Sequence, residues 1–409
     1  MEKTQKTVVL GVCGGIAAYK VAQVASTLTQ QGIDVHVIMT KNATQFVTPL
    51  TFESLTGNRV VVDTFDRNFQ WDVKHVSLAK RADVFLIAPA TANIIAKMAY
   101  GLADDMLSTT VLAASCPKIV VPAMNTGMYE NPATQRNLEI LRRDGMAVME
   151  PGVGRLACRD VGKGRLPRIE EIVECTRFYL SQKDLQGKTV LVTAGPTQEA
   201  LDPVRYLTNH STGKMGYAIA AAAARRGAKT ILVSGPTGLQ VPFGVECLPV
   251  KSAQEMFEAV TGRAPACDMI IKAAAVADYR PSQVSEQKMK KSDGQLNLSL
   301  QRTQDILGYL GEHKRPGQVL CGFSMETQNL LENSQRKLIK KNADCIVANN
   351  LFEPGAGFGV DTNVVTLITR QGHETLPQME KSQVAQVLLD TLARMLPAQE
   401  SGVSDQCEL

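Results

Sequence analysis

Four stretches of the 409-residue chain carry side chains whose types and spacing could do chemistry. In "LGVCGGIAAYK" (10–20), Gly11, Gly14 and Gly15 sit between an apolar run and a helical pattern. Backbone N–H groups at such a turn can hold a phosphate, although close packing also asks for glycine there. "KHVSLAKRAD" places His75 ahead of a helical pattern, where an imidazole could move a proton near neutral pH. "KIVVPAMN" ends in Asn125. "GRLACRDVGKGRLP" sets Cys158 among Arg155, Arg159 and Lys163, cations that would make a thiol acidic enough for general acid work. Each of these residues also has a plain structural use as a surface histidine, a turn former or a small filler.

The second half has its own set. "HSTGKMG" (210–216) is no Walker loop, because Met215 follows Lys214 and no glycine stands five residues before Gly213. Gly213 and Gly216 still open an alanine-rich helix, which suits either anion binding or close packing. Lys288, Lys290 and Lys291, then Lys337, Lys340 and Lys341, read as solvated faces or as the cations a triphosphate needs. Asp278 ends an apolar run, where it could meet a ribose or a metal.

The elements that must position these residues alternate. Apolar runs at 6–15, 33–40, 82–93 and 118–125 read as strands, with a helix over 16–32 in which Ile16, Val21, Val24 and Leu28 share one side and which stops at Gly32. The pattern restarts at 187–197, with a helix at 215–228 and strands at 229–237, 268–279 and 343–350. Near-continuous apolar strands between helices predict parallel sheets covered on both faces, hence two α/β Rossmann-like domains. In such sheets ligands sit beyond the carboxyl ends of the strands. A dinucleotide loop would need G-x-G-x-x-G and an acid closing the second strand. Both are lacking: that run ends in Thr40-Lys41, so a mononucleotide such as FMN fits better than NAD.

A net charge of +4 is too mild to argue for nucleic acid. The first residues carry no apolar leader, and no run is long enough to span a membrane. Nine cysteines without a CxxC pair indicate neither a disulfide framework nor a zinc site, and a reducing cytoplasm is the expected setting.

In its first half the chain resembles the flavin-dependent cysteine decarboxylases. Pro122, Met124, Asn125 and Met128 match their Pro-x-Met-Asn-x-x-Met motif, and "GRLACRDVGKGR" matches the substrate flap of phosphopantothenoylcysteine decarboxylase. Tyr129 stands where that family usually has Trp, and Arg159 where it usually has Gly. The resemblance implies a flavodoxin-like domain over 1–186 that binds FMN. Gly14, Gly15 and Ile16 would face its phosphate, Thr40 would lie nearby, and Pro89, Ala90 and Asn93 would lie by its ring. It also implies that the substrate thiol is oxidised to a thioaldehyde, that CO₂ is lost to leave an enethiolate, and that hydride returns. Cys158 would then donate a proton, His75 assist proton removal, Asn125 hold the carboxylate and Met124 touch substrate.

The order of "TAGPTQEALDPVRYLTNHSTGKMG", "AAVADYRP", "KMKK", "GFSMET" and "KKNADCIVANN" resembles the CTP-using bacterial phosphopantothenate–cysteine ligases. Both halves together resemble the bifunctional coenzyme A biosynthesis family. This implies a doubly wound ligase domain over 187–396, with a disordered tail over 397–409. CTP would activate 4′-phosphopantothenate as an acyl-cytidylate for attack by cysteine, with Mg2+ present and its ligands unassigned. Asn209 would serve the amide-forming half, and Arg205 the substrate phosphate or intermediate. CTP would meet Asp278, Lys288, Phe323, Lys337, Lys341 and the run Gln304-Asp305-Ile306-Leu307, in which Gln304 replaces the family's Pro. The resemblance further implies a homo-oligomer in which trimers of the decarboxylase are joined through ligase dimers into a dodecamer.

Overall fold

Alternation along each strand explains the architecture. Within Thr7–Val12, Val8, Leu10 and Val12 enter one core cluster while Val9 enters another, so both faces of the strand are covered. The computed structural model describes residues 5–65, 74–157, 159–290, 297–326, 329–350 and 359–397. It divides the chain into two units, Met1–Ser181 and Gln182–Leu409. Pro397 apart, the tail expected from 397 onward lies outside the described residues.

The first unit is a five-stranded parallel sheet. Its strands, counted along the chain as Thr7–Val12, Asp34–Met39, Val84–Ala90, Lys118–Pro122 and Ala147–Val148, stand in the order 2-1-3-4-5. This is the flavodoxin-like order, with its reversal beside the first strand. Helices Ala18–Gln30 and Ile169–Leu180 cover one face through Val21, Val24, Leu28, Ile172 and Cys175. Helices Ala92–Tyr100, Met106–Ala113 and Pro132–Arg143 cover the other. Gly32, at φ +79°, follows the first helix as expected of a stop. The expected place of Ile16 on that side of the helix is corrected: the helix starts only at Ala18, and Ile16 precedes it with 57% of its surface exposed.

The second unit has an eight-stranded sheet. Six parallel strands, counted as Thr189–Ala194, Lys229–Ser234, Val245–Pro249, Met269–Lys272, Val319–Glu326 and Cys345–Asn350, take the order 3-2-1-4-5-6. Antiparallel strands Val365–Thr369 and Gly372–Thr375 extend that edge. One face is covered by helices Lys214–Arg225 and Lys381–Ala393, the other by Ala253–Thr261, Ile306–Glu312 and Leu330–Lys340. Three short antiparallel pairs stand outside this sheet among the described residues: Gln198–Ala200 with Tyr206–Thr208, Tyr279–Pro281 with Leu300–Arg302, and Thr362–Asn363 with Met379–Glu380. Among the described residues no helix is long and apolar enough to cross a membrane.

Close packing explains Gly216. A Cβ there would lie 2.5 Å from Ala194 Cβ and 2.9 Å from Thr193 O, so the helix could not seat on its strand. Gly216→Ala is expected to destabilise the protein by roughly 1–3 kcal/mol, read as a lowered thermal midpoint. An unchanged midpoint would show that the contact yields freely.

Candidate active sites

In the first unit, the strand Thr7–Val12 runs into Cys13-Gly14-Gly15, and its neighbour Val84–Ala90 runs into Thr91. At these carboxyl ends lies a cavity of about 1000 Å³. Gly14, Gly15, Ile16, Thr40, Asn93, Met124 and Asn125 all line it. Gly14 is required by close approach, since a Cβ would lie 2.4 Å from Asn42 Cβ. At Gly15 a Cβ would meet only Thr91 Cγ2, at 3.9 Å, so the missing side chain leaves the backbone open to the cavity. An open backbone turn beside Thr40 and Lys41, with Ile16 and Met124 as apolar wall, fits a phosphate joined to a flat ring.

The remaining expected residues are placed as follows. Pro89 and Ala90 are buried inside their strand and do not line the cavity. His75 was expected just ahead of a helix; it lies in the first turn of Lys74–Arg81, half-buried and off the cavity wall. Asn125 caps the helix Thr126–Glu130: its Oδ1 accepts from Gly127 N at 2.9 Å, and its Nδ2 donates to Asp160 Oδ2 at 3.1 Å. Tyr129, in the usual Trp position, is buried and donates to Glu150 Oε2 at 3.0 Å.

Cys158 lies outside the described residues. Its surroundings are an antiparallel ribbon, Gly152–Arg155 against Val161–Arg165, whose tip is drawn in by Leu156 N to Asp160 O at 2.8 Å. Arg159 has φ +74°, the left-handed region that glycine adopts freely, which accounts for glycine being usual there. Arg155, Leu156, Ala157 and Arg165 bring the ribbon to the cavity wall.

Lys97, Asp105 and Cys13 are among the wall residues that sequence reasoning missed. Lys97 Nζ lies 2.6 Å from Asp104 Oδ1 and 2.7 Å from Asp105 Oδ2. Lys97 and Asp105 both line the cavity; a lysine eight residues before an acid across Gly101 was the available signal. Cys13, directly ahead of the glycine pair, also lines it, and burial pushes its thiol up to about 12.

In the second unit the strand ends and the loops beyond them are laced together. Ala275 N donates to Gly195 O at 2.9 Å, Ala277 N to Thr197 Oγ1 at 3.0 Å, and Asn209 Nδ2 to Val276 O at 3.1 Å. The exposed Asp278 accepts Thr303 N at its backbone oxygen, 3.0 Å away. Asp305 caps Ile306–Glu312 through Gly308 N at 2.9 Å and pairs with Lys341. Lys337 Nζ donates to Phe323 O at 3.1 Å. Gln304 is exposed, whereas Ile306 and Leu307 are core residues whose side chains face away from solvent. Lys288 and Lys290 are exposed, and Lys291 lies outside the described residues. Lys214 is committed elsewhere, to Asp361 Oδ1 at 2.7 Å and Gly359 O at 3.0 Å.

Lys272 was also missed. It ends its strand on the face of Ile270, the face that carries Ile306, Leu307 and Leu338, and so belongs with the charges flanking those residues. Burial, then the like charge of Lys337, pulls its pKa down to about 8 against the opposing pull of Asp305 and Asp278. The folded chain thus holds this proton less readily than the unfolded chain does. Lys272 therefore makes stability rise with pH from about 8 to the ordinary lysine value.

Gly164, at φ +139°, lets the ribbon touch the loop that carries Asn125: a Cβ would lie 2.2 Å from Met124 O, and Met124 N donates to Gly164 O at 2.9 Å. Gly164→Ala is expected to part the two segments. Hydrogen exchange at the Met124 amide should quicken about tenfold or more, and native protection in the variant would refute this contact.

Comparison with known proteins agrees with this division. The family model described as Flavoprotein matches residues 1–181, and that described as DNA/pantothenate metabolism flavoprotein C-terminal domain matches residues 185–396. The coenzyme A biosynthesis bifunctional protein CoaBC of Bacillus subtilis (strain 168) is 49% identical over 395 residues, covering 95% of this chain and 97% of that protein. A crystal structure of the C-terminal domain of a CoaBC protein is 45% identical, with a TM-score of 0.46, over 52% of this chain and 98% of the other. The FMN-dependent cysteine decarboxylase SpaF is 39% identical, with a TM-score of 0.35, over 39% of this chain and 90% of the other. With both family models in order and near end-to-end identity, the chain belongs to the bifunctional coenzyme A biosynthesis family, a flavoprotein decarboxylase half followed by a ligase half.

Proposed function

We propose that the second unit joins cysteine to 4′-phosphopantothenate using CTP, and that the first unit decarboxylates the product to 4′-phosphopantetheine with FMN in its cavity. The observation that carries the reading is the 1000 Å³ cavity, whose wall includes the Gly14-Gly15 turn, Asn125 and the ribbon that leads to position 158.

When bound, FMN would supply a two-electron sink that is emptied again before product leaves, so no outside oxidant is consumed. The protein's own residues do the rest. The Gly15 backbone and Thr40 meet the phosphate, while Lys97, Asp105 and Asn93 lie on the same wall. The Asn125 amide, oriented by Asp160 and Gly127, presents an N–H to the departing carboxylate. Cys158, among Arg155, Arg159 and Lys163, returns a proton to the carbon that loses CO₂. His75, off the wall of its own cavity, serves in proton removal from a neighbouring subunit of a homo-oligomer.

In the second unit Lys272, Lys337 and Lys341 gather cationic charge against the triphosphate, and Asp278 meets the ribose. The substrate carboxylate displaces pyrophosphate, and cysteine's amine then displaces CMP. Among the described residues no group of three His, Cys, Asp or Glu side chains could hold a metal. Mg2+ would therefore be held chiefly by triphosphate oxygens and water. The seven free cysteines described suit the reducing cytoplasm in which we place both reactions.

Purified protein should be yellow, and Cys158→Ser should stop decarboxylation while leaving FMN bound. A variant forming 4′-phosphopantetheine at the normal rate would remove Cys158 as the proton donor. In the ligase assay the KM for CTP should rise as pH climbs through about 8, because Lys272 then loses its charge. Lys272→Met should raise KM at pH 7 and flatten that rise; an unaltered pH profile would place Lys272 away from the nucleotide.

A further inference from the structure

Asp202 is a buried carboxylate, 3% exposed, with every lone-pair direction used. It accepts hydrogen bonds from Val204 N and Arg205 N at 2.8 Å, from Met289 N at 3.1 Å and from Arg205 Nε at 2.9 Å. Arg205 Nη2 lies 2.8 Å from it and also donates to Met289 O. Ser285 N donates to Leu201 O at 3.0 Å, so two segments more than 80 residues apart in sequence are clamped side by side. One carries Arg205; the other carries Lys288, the residue before Met289. Asp202 and Arg205 also wall a cavity of about 710 Å³ together with Lys251 and Arg280, whose buried Nε has no partner among the described residues.

We propose that Asp202 is a positioning residue of the ligase reaction: it fixes the Arg205 guanidinium and the Lys288 backbone in one relation, so that acid substrate and nucleotide are met by a single rigid unit. The inference rests on the ligase reading of this unit. A hydrogen-bonded carboxylate holds both the direction and the charge of a guanidinium, which a long side chain in water would not keep. Burial alone would raise the Asp202 pKa, but the N–H groups of Val204, Met289 and Arg205, then the guanidinium, bring it down to about 2. It is therefore ionised at any working pH and takes no part in proton transfer.

The test is single-turnover ligation with the full-length protein in excess, which keeps slow variants measurable. Wild-type protein that does not join cysteine to 4′-phosphopantothenate with CTP would overturn the ligase reading and this inference with it. If it does, Asp202→Asn should lower the ligation rate constant at subsaturating substrate about 10- to 100-fold, the scale of a misplaced reacting group. Its decarboxylase rate on supplied 4′-phosphopantothenoylcysteine should be unchanged, which reports an intact chain. The decisive arm repeats the substitution in an Arg205→Ala, Lys288→Ala background. A residue acting through those two loses most of its effect there, whereas a merely structural one keeps its full factor. Loss of the effect supports the proposal; a retained factor, or no effect in the wild-type background, overturns it. Should the Asn variant fail to fold, Asp202→Glu, which keeps the charge and shifts it by one methylene, carries the same cycle.

Discussion

Both halves depend on one constraint of parallel sheets. Each connection must cross over a face of the sheet, and where the strand order reverses, neighbouring connections leave on opposite faces. The strand ends there are uncovered, and a crevice opens without any side chain having to make it. In the first unit the reversal lies between Thr7–Val12 and Val84–Ala90, in the second between Thr189–Ala194 and Met269–Lys272. The crevices supply position; the residues at their rims supply the difference between the two chemistries.

Both rims carry cations, in different company. Lys20, Lys41, Lys97, Arg155 and Arg165 line the first cavity, against Asp105 alone among its lining acids. Lys97 is neutralised by Asp104 and Asp105, and Ile16, Met124 and Leu156 add apolar wall. A flat ring needs shape from such a wall, and a phosphate needs its cations. In the second unit burial first, and the like charge of Lys337 after it, bring Lys272 down to about 8 against the pull of Asp305 and Asp278.

The strands were legible because their apolar runs are long and two-sided. The runs at 33–40 and 229–237 became Asp34–Met39 and Lys229–Ser234, since β-branched residues buried on both faces leave little alternative. Short elements were not: Gln198–Ala200 and Tyr279–Pro281 exist only through pairing with distant chain, and nothing local marks them. The same divide runs through the sites. Gly14 and Asn125 could be named because turn and cap chemistry is local. Lys272 could not, since its standing comes from Lys337 and Asp305, which only the folded sheet brings to its face. Ile16 shows the reverse error: the helical period extends to it, but the chain begins its helix two residues later and turns Ile16 outward.

The ribbon in the first unit shows how a charge pattern and a backbone conformation can serve one end. Arg155, Arg159, Lys163 and Arg165 stand on or beside it, while its one nearby acid, Asp160, accepts from Asn125. In sequence, position 158 is followed by Arg159 and by Asp160, whose carboxylate is already engaged. The tip of the ribbon includes a left-handed residue, filled here by Arg159 at some conformational cost. A glycine would relieve that strain but would also remove a cation from the ribbon. Keeping arginine therefore holds a backbone strain of about 1–2 kcal/mol in a ribbon that also walls the cavity.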